Sequence, residues 1–216
     1  GNTLKELGRL DEAEASYTQA IALQPDFAEA HCNLGITFQE LGRIDEANAS
    51  LTQAIALKPD FAEAHNNLGI TLQELGRFDE AELSCREAIA LKPDYAEAHN
   101  NLGNTLTKLG SLDDAAASYM QAIAFNPDFV KAHYNMGITL QELERFDEAE
   151  ASYKQTIKLK PGHVEAHYNL GILLQNLGRL EEAEASYTLA IAFKSDHAEA
   201  HNNLGAMLQT MGRLYE

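Results

Sequence analysis

Histidine, which suits proton transfer near neutral pH and is a common zinc ligand, recurs in this chain at a constant interval. The six occurrences lie 34 residues apart, at His31, His65, His99, His133, His167 and His201. If each lies on its own packed helix layer, neighbouring imidazoles are about 10 Å apart, whereas zinc needs every ligand at about 2 Å. We therefore interpret these histidines as packing residues, and we predict neither a metal site nor a cofactor.

Acidic residues beside serine form a second set with catalytic residue types. The sequence DEAEAS occupies residues 11–16 and 147–152, and close variants recur elsewhere. Each cluster opens a predicted helix, where carboxylates are stabilised by the positive end of the helix dipole. The chain also has no glycine-rich phosphate loop and no nucleophile elbow. We predict that this chain is not an enzyme.

The charge balance limits the class of partner. The 216 residues include 33 Asp and Glu against 16 Lys and Arg, which gives a formal net charge of −17. This excess repels phosphate backbones and anionic lipid, and no run of Lys and Arg offsets it. We predict no nucleic-acid partner and no membrane partner, and we favour a protein or peptide ligand that is neutral or basic.

The cysteines and the apolar segments bear on the cellular compartment. Cys32 and Cys85 form no metal-ligand or redox motif, which is consistent with a reducing compartment. No apolar run approaches the roughly 20 residues that a membrane span needs, and the first residues lack a signal-peptide pattern. A cytoplasmic location is therefore favoured.

The whole chain is built from one repeated unit. The pentapeptides HCNLG, HNNLG, HYNMG and HYNLG recur every 34 residues from residue 31 to residue 201, which predicts a single array over residues 1–216. The full repeats are 28–61, 62–95, 96–129, 130–163 and 164–197, with partial repeats at 1–27 and 198–216. We number the positions of a repeat from 1 to 34, so that residue 62 is at position 1.

Each repeat encodes two amphipathic helices. In residues 62–95 the apolar residues of the two helices are Ala64, Leu68, Leu72 and Leu75, then Ala81, Cys85, Ala88 and Ile89. Asp60 and Glu63 have the spacing of a capping box, and Gly76 ends the first helix. Because one helix pair cannot bury its apolar faces alone, neighbouring pairs must stack. The predicted fold class is all-α, an α-solenoid of antiparallel helix pairs.

These residues resemble the tetratricopeptide repeat family. The family's characteristic positions hold His65, where Trp is typical, Leu68, Gly69, Leu72, where Tyr is typical, Ala81, Cys85, Ala88 and Pro93. One departure is Glu144, which stands where other repeats have the turn glycine. The resemblance implies a right-handed superhelix whose first helices line a concave surface. Among such arrays, the repeats are most similar to those of the O-linked N-acetylglucosamine transferases.

Two rows of residues follow one face of the first helices. The asparagine row, at position 6, contains Asn33, Asn67, Asn101, Asn135, Asn169 and Asn203. The isoleucine row, at position 9, contains Ile36, Ile70, Asn104, Ile138 and Ile172, and position 5 adds Tyr134 and Tyr168. An amide can pair with both polar groups of a peptide bond, and apolar side chains can supply pockets. We predict that these residues bind an extended peptide, as the amide row does in the transferase arrays that the chain resembles.

Several alternatives remain open. The asparagines could instead form hydrogen bonds between repeats and fix the curvature of the array. The chain could be the substrate-recruiting arm of a glycosyltransferase whose catalytic domain lies outside these residues. A homotypic scaffold is the third alternative, because the array looks like a piece of a longer one with apolar ends that could stack end to end. The residues at these ends are Leu4, Leu7, Leu10, Leu204, Leu208 and Met211.

Overall fold

The computed structural model describes residues 1, 3, 7–210 and 212, and over this part of the chain the secondary structure is entirely helical. The helices are α1 Leu10–Leu23, α2 Ala28–Glu40, α3 Ile44–Leu57, α4 Ala62–Glu74, α5 Phe78–Leu91, α6 Ala96–Lys108, α7 Leu112–Phe125, α8 Val130–Glu142, α9 Phe146–Leu159, α10 Val164–Asn176, α11 Leu180–Phe193 and α12 Ala198–Thr210. Turns of three or four residues connect them, so the two helices of a repeat run antiparallel. The predicted all-α fold with two helices per 34 residues is confirmed.

The turn inside each repeat requires a left-handed backbone conformation. Gly76 has φ +72°, and its amide donates to the Gln73 carbonyl while the next amide, of Arg77, donates to Leu72. These bonds satisfy carbonyls that the end of α4 would otherwise leave unpaired. Glu144 has φ 59° at the same position of its repeat, so the residue that departs from the turn glycine keeps the turn. Helices α8 and α9 retain the lengths found in the other repeats.

The turn between repeats is held by the recurrent histidine rather than by a capping box. The structure gives α4 a Phe61 N-cap without a side-chain hydrogen bond, so the predicted box of Asp60 and Glu63 is wrong. Instead, Nε2 of His65 lies 2.9 Å from the carbonyl oxygen of Pro59. The same bond recurs in every described repeat, at His31, His99, His133, His167 and His201.

Glycine at position 8 lets the two helices of a repeat approach closely. A Cβ on Gly69 would lie 2.6 Å from the Cys85 sulfur, and one on Gly171 would lie 2.7 Å from the Tyr187 ring. Contacts this short do not occur in folded proteins, so these positions exclude larger residues. Position 24 is the bulky partner, and it is buried at Leu51, Cys85, Tyr153 and Tyr187.

The chain divides into two compact units, residues 1–111 and 112–216. The first has core clusters around Tyr17 and Leu51. The second has one continuous cluster that extends from Leu140 and Tyr153 to Met207. Charged residues also link successive repeats within each unit, because Arg43 contacts Glu14 and Arg179 contacts Glu150. The predicted repeat boundaries and the single array stay predictions.

The residues predicted to stack end to end are only partly described. Leu4 and Met211 lie outside the described residues. Leu7 is 66% exposed, whereas Leu10, Leu204 and Leu208 are half-buried. None of the helices in the described part combines the length and the apolar character needed to cross a bilayer.

Candidate peptide-binding face

The first two asparagines of the asparagine row lie in the first unit, and their side-chain amides form no hydrogen bond within the described residues. Asn33 and Asn67 are half-buried, and among the residues that the structure describes their side chains have no hydrogen-bond partner. Their backbone carbonyls accept from Thr37 and Thr71 one turn later. The two amides therefore retain their full hydrogen-bonding capacity for a ligand.

Further along the row, the amides connect adjacent repeats. Nδ2 of Asn101 donates to Oδ1 of Asn66 at 2.9 Å, between α6 and α4. In the second unit, Nδ2 of Asn169 donates to the hydroxyl of Tyr134 at 3.1 Å, and Asn203 donates to Tyr168 at 3.2 Å. The alternative role of inter-repeat bonding is thus present at these three positions. Asn135 is half-buried on α8.

Position 5 differs from its predicted place on a ligand-facing surface. Cys32, Asn66 and Asn100 are at most 4% exposed, because they lie in the contact between successive first helices. Tyr134 and Tyr168 are half-buried and pack against the core cluster of the second unit. Only their hydroxyl ends meet the asparagine row, so they position Asn169 and Asn203 as well as offering apolar surface.

The isoleucine row is shared between core and surface. Ile36 packs against the Leu51 cluster, and Ile138 and Ile172 pack against the cluster of the second unit. Ile70 and Asn104 are also half-buried. Each side chain therefore has one side in the core and another that remains accessible, which is the condition of an apolar anchor point rather than of a solvated surface.

The glutamine at position 12 forms one of two sets of hydrogen bonds. The residue at position 10 of the next repeat and the residue at position 24 determine which set it forms. In α2, Nε2 of Gln39 donates to the Asn67 carbonyl at 3.0 Å and to the Thr71 hydroxyl at 2.7 Å, and Gln73 repeats this with Asn101 and Thr105. In the second unit, the equivalents of these threonines are Leu173 and Met207, and position 24 is tyrosine. Accordingly, Gln141 accepts from Tyr153 at 3.0 Å and Gln175 accepts from Tyr187 at 2.8 Å.

One cleft of the second unit combines both rows. Ile138, Gln141 and Glu142 of α8, Tyr153 of α9 and Asn169 of α10 enclose about 260 Å³. Two predicted site residues, Ile138 and Asn169, therefore line the same space. Glu142 and Tyr153 are not among the site residues predicted from the sequence.

Burial shapes the ionisation of the aromatic groups near this face. It raises the pKa of the Tyr153 phenol, and the Tyr134 ring and the Glu142 carboxylate add to this effect. The pKa of Tyr134 is also raised by burial and by Glu165, while the bond from Asn169 lowers it. Because both phenols stay protonated at neutral pH, they act as hydrogen-bonding groups and not as bases.

Two His-x-x-x-His pairs, His163 with His167 and His197 with His201, have a spacing that suits zinc, and the sequence analysis missed them. Their ring nitrogens have other partners. Nδ1 of His163 accepts from the Ala166 amide at 3.3 Å, while Nε2 of His167 is 2.8 Å from the Pro161 carbonyl. Within the described residues, no group of three or more metal-ligating side chains comes together.

The chain matches solved structures over most of its length. A TPR protein called YrrB, with what its description calls an unusual peptide-binding site, is 23% identical with a TM-score of 0.70, and the match covers 87% of this chain and 96% of that one. MamA is 25% identical with a TM-score of 0.70 over 77% of this chain and 97% of its own. A thermophilic TPR protein from Thermus thermophilus is 26% identical with a TM-score of 0.66 over 84% of this chain and 99% of its own. The fold class is thus a helical repeat solenoid.

Family models identify the repeats themselves. A tetratricopeptide repeat model matches residues 32–96 and 134–198, which is more than half of the chain. A TPR repeat model matches residues 1–42 and 103–144, and a third, also described as tetratricopeptide repeat, matches residues 84–117. No curated protein matches the sequence. The chain therefore belongs to the tetratricopeptide repeat family.

Proposed function

We propose that this chain is a non-catalytic interaction module that binds an extended peptide along the asparagine and isoleucine rows. The observation that carries the proposal is the state of Asn33 and Asn67, whose half-buried amides have no partner among the described residues. A half-buried amide that is not bonded within the described protein can exchange its contacts with water for the polar groups of a peptide bond. Ile36 and Ile70, one turn along the same helices, offer apolar surface beside them.

The spacing of the repeats suits a peptide backbone. Adjacent packed helix layers lie about 10 Å apart, and an extended peptide rises about 3.3 Å per residue. Consecutive asparagines would therefore contact the peptide about once every three residues. An amide that binds the peptide bond itself is indifferent to the side chain there, so selectivity would come from the isoleucines and from Tyr134 and Tyr168.

The charge of the chain supports a neutral or basic ligand. With a net charge of −17, the protein attracts cationic peptides and repels peptides rich in carboxylates. A peptide bound against position 2 would meet the exposed carboxylate of Glu63, whereas that of Glu29 is paired with Lys58. The general role of a protein-binding repeat protein agrees with YrrB, whose description names a peptide-binding site.

The test is a selection of twelve-residue peptides from a random display library on the wild-type protein, followed by affinity measurements on variants. Asn33→Ala and Asn67→Ala together should weaken the selected peptides about tenfold or more, since two hydrogen-bonding groups are lost. Thermal stability should change little, because neither amide has a hydrogen-bond partner in the described part of the chain. Asn48→Ala on α3, a second helix, is the matched control and should bind like the wild type. Undiminished binding by the double variant would refute the proposal.

The asparagines that link repeats need a separate comparison. Asn101→Ala removes a partner from Asn66, which is buried, so it should lower stability as well as affinity. A loss of affinity in this variant alone would therefore report on the fold. The glycosyltransferase-arm alternative stays a prediction, and a nucleotide-sugar-binding domain in the same reading frame would favour it.

A further inference from the structure

The cleft between α8, α9 and α10 has the size of a pocket for one side chain. It encloses about 260 Å³, which is smaller than the roughly 300–1,000 Å³ of sites that hold a whole small molecule. Ile138 provides apolar surface, Tyr153 lines the cleft although it is only 1% exposed, and Gln141, Glu142 and Asn169 provide polar groups. A ligand here must therefore combine an apolar stem with a polar end.

The polar groups of the cleft favour a positively charged end. Glu142 is exposed and brings a full negative charge. Nδ2 of Asn169 donates one of its two N–H groups to Tyr134, which leaves its second N–H and its carbonyl oxygen, the acceptor that a cationic donor needs. Gln141 already accepts from the Tyr153 hydroxyl through its own carbonyl. A cationic donor facing a carboxylate and a carbonyl would satisfy both.

We propose that this cleft binds an arginine side chain of the peptide held along the asparagine and isoleucine rows. The inference rests on the proposed function and specifies one of its side-chain pockets. The arginine stem would lie along Ile138, and the guanidinium would donate to Glu142 and Asn169. Arginine is preferred to lysine because its planar guanidinium can reach two separate acceptors at once, whereas an ammonium is a compact point charge.

The required combination is specific to α8 and its neighbours. Helix α10 repeats the isoleucine and the tyrosine with Ile172 and Tyr187, but has Asn176 in place of Glu142. Helix α4 repeats the isoleucine and the carboxylate with Ile70 and Glu74, but pairs with Cys85, and its Gln73 is bonded to the next repeat. The arginine would therefore be read at one place along the peptide.

The test uses small probes, so that it does not depend on finding the natural peptide. N-acetyl-arginine amide is titrated into the protein labelled at its isoleucine methyl groups, and the Ile138 methyl shift is followed by NMR. N-acetyl-citrulline amide has nearly the same shape without the charge. We expect saturable shifts at Ile138 with arginine, smaller shifts at Ile172, and binding of citrulline at least about threefold weaker.

Variants separate the pocket from the general charge of the protein. Glu142→Gln keeps the shape and removes the carboxylate, and it should weaken the arginine probe about threefold to fivefold. Glu74→Gln, at the same position of another repeat, removes the same charge elsewhere and should leave the affinity unchanged. Equal weakening by both variants, or equal binding of citrulline and arginine, would overturn the proposal.

The outcome of this test is distinguishable from that of the proposed function. If peptides bind through Asn33 and Asn67 while Glu142→Gln does not affect the arginine probe, the module stands and this pocket assignment is wrong. If the probe shifts Ile138 as expected but the double asparagine variant binds peptides normally, the pocket stands and the proposed role of the asparagine row is wrong.

Discussion

Glu144 occupies the turn-glycine position of its repeat without altering the conformation of the turn. It adopts φ 59°, a conformation that the other repeats give to glycine. A Cβ added at the equivalent Gly178 would meet no atom within 4 Å, so steric contact with the rest of the protein is not the obstacle. The strain lies within the residue's own backbone.

Replacing Glu144 with glycine should therefore stabilise the protein. We expect Glu144→Gly to raise the free energy of unfolding by about 1 kcal/mol, because a left-handed conformation costs a residue with a Cβ about that much. Urea denaturation monitored by circular dichroism measures the change. Gly178→Glu, the reverse substitution in the next repeat, should lower stability by a similar amount, and a stabilising effect of that variant would contradict the explanation.

At the scale of helices and turns, the sequence predicted the parts that depend on spacing. Apolar residues three or four apart placed Ala64 and Leu72 in the core, and Gly76 marked the end of a helix. The predicted capping box is wrong because a different hydrogen bond holds this turn, the one between His65 and the Pro59 carbonyl. That bond joins residues six apart across a turn. The acceptor is a backbone oxygen, which every residue has, so no residue type in the sequence indicates it.

The sequence predicted which repeated positions form the candidate site, but not which hydrogen bonds their side chains form. The period of 34 identified Asn169 and Ile138 as members of repeated positions. Whether an asparagine side chain bonds to the neighbouring repeat depends on the residue 35 places earlier, which is Tyr134 for Asn169. The same holds for glutamine, which bonds to Thr71 in the first unit and accepts from Tyr153 in the second. Such choices arise only when neighbouring repeats are packed together.

The N-terminus of α10 carries a pH-sensitive cap. Nδ1 of His163 accepts from the Ala166 amide, and its ring centroid lies 4.8 Å from that of Tyr134. Burial lowers the pKa of His163, and Lys160 and His167 lower it further, while the Glu165 carboxylate opposes them. The net direction is downward, so the folded state favours the neutral ring that can accept a hydrogen bond.

This shift predicts a loss of stability in mild acid. For a base whose folded pKa is depressed, the contribution is complete above its unfolded pKa, about 6.5, and is lost as the pH falls through the folded value. His163→Phe introduces the residue found at the same position as Phe129 and removes the titrating group. We expect the variant to lose less stability than the wild type between pH 7.5 and pH 5.5 in urea denaturation.

The histidines at position 4 bond differently from this cap, whereas His197 repeats it by accepting from the Ala200 amide. Nε2 of His65 and of His133 faces a backbone carbonyl, which can only accept a hydrogen bond. These residues should therefore contribute little to the difference between wild type and variant. An identical pH dependence in His163→Phe would show that the cap does not titrate in this range.

At the scale of the whole molecule, self-association depends on two opposing effects, apolar contact and charge repulsion. Leu7 is 66% exposed and would favour an apolar contact between chains. The net charge of −17 repels a second copy. The range of this repulsion falls from about 30 Å at about 0.01 M salt to about 3 Å at about 1 M, whereas apolar burial does not weaken with salt.

End-to-end stacking through apolar residues should therefore increase with salt at neutral pH. We expect small-angle scattering to show a larger average mass at about 1 M than at about 0.01 M sodium chloride, with a dependence on protein concentration. Leu7→Gln removes apolar surface without altering the charge, and it should reduce the association at high salt. An average mass that instead decreases with salt would mean that ion pairs hold the chains together. A strict monomer at high protein concentration in both salt conditions would refute stacking.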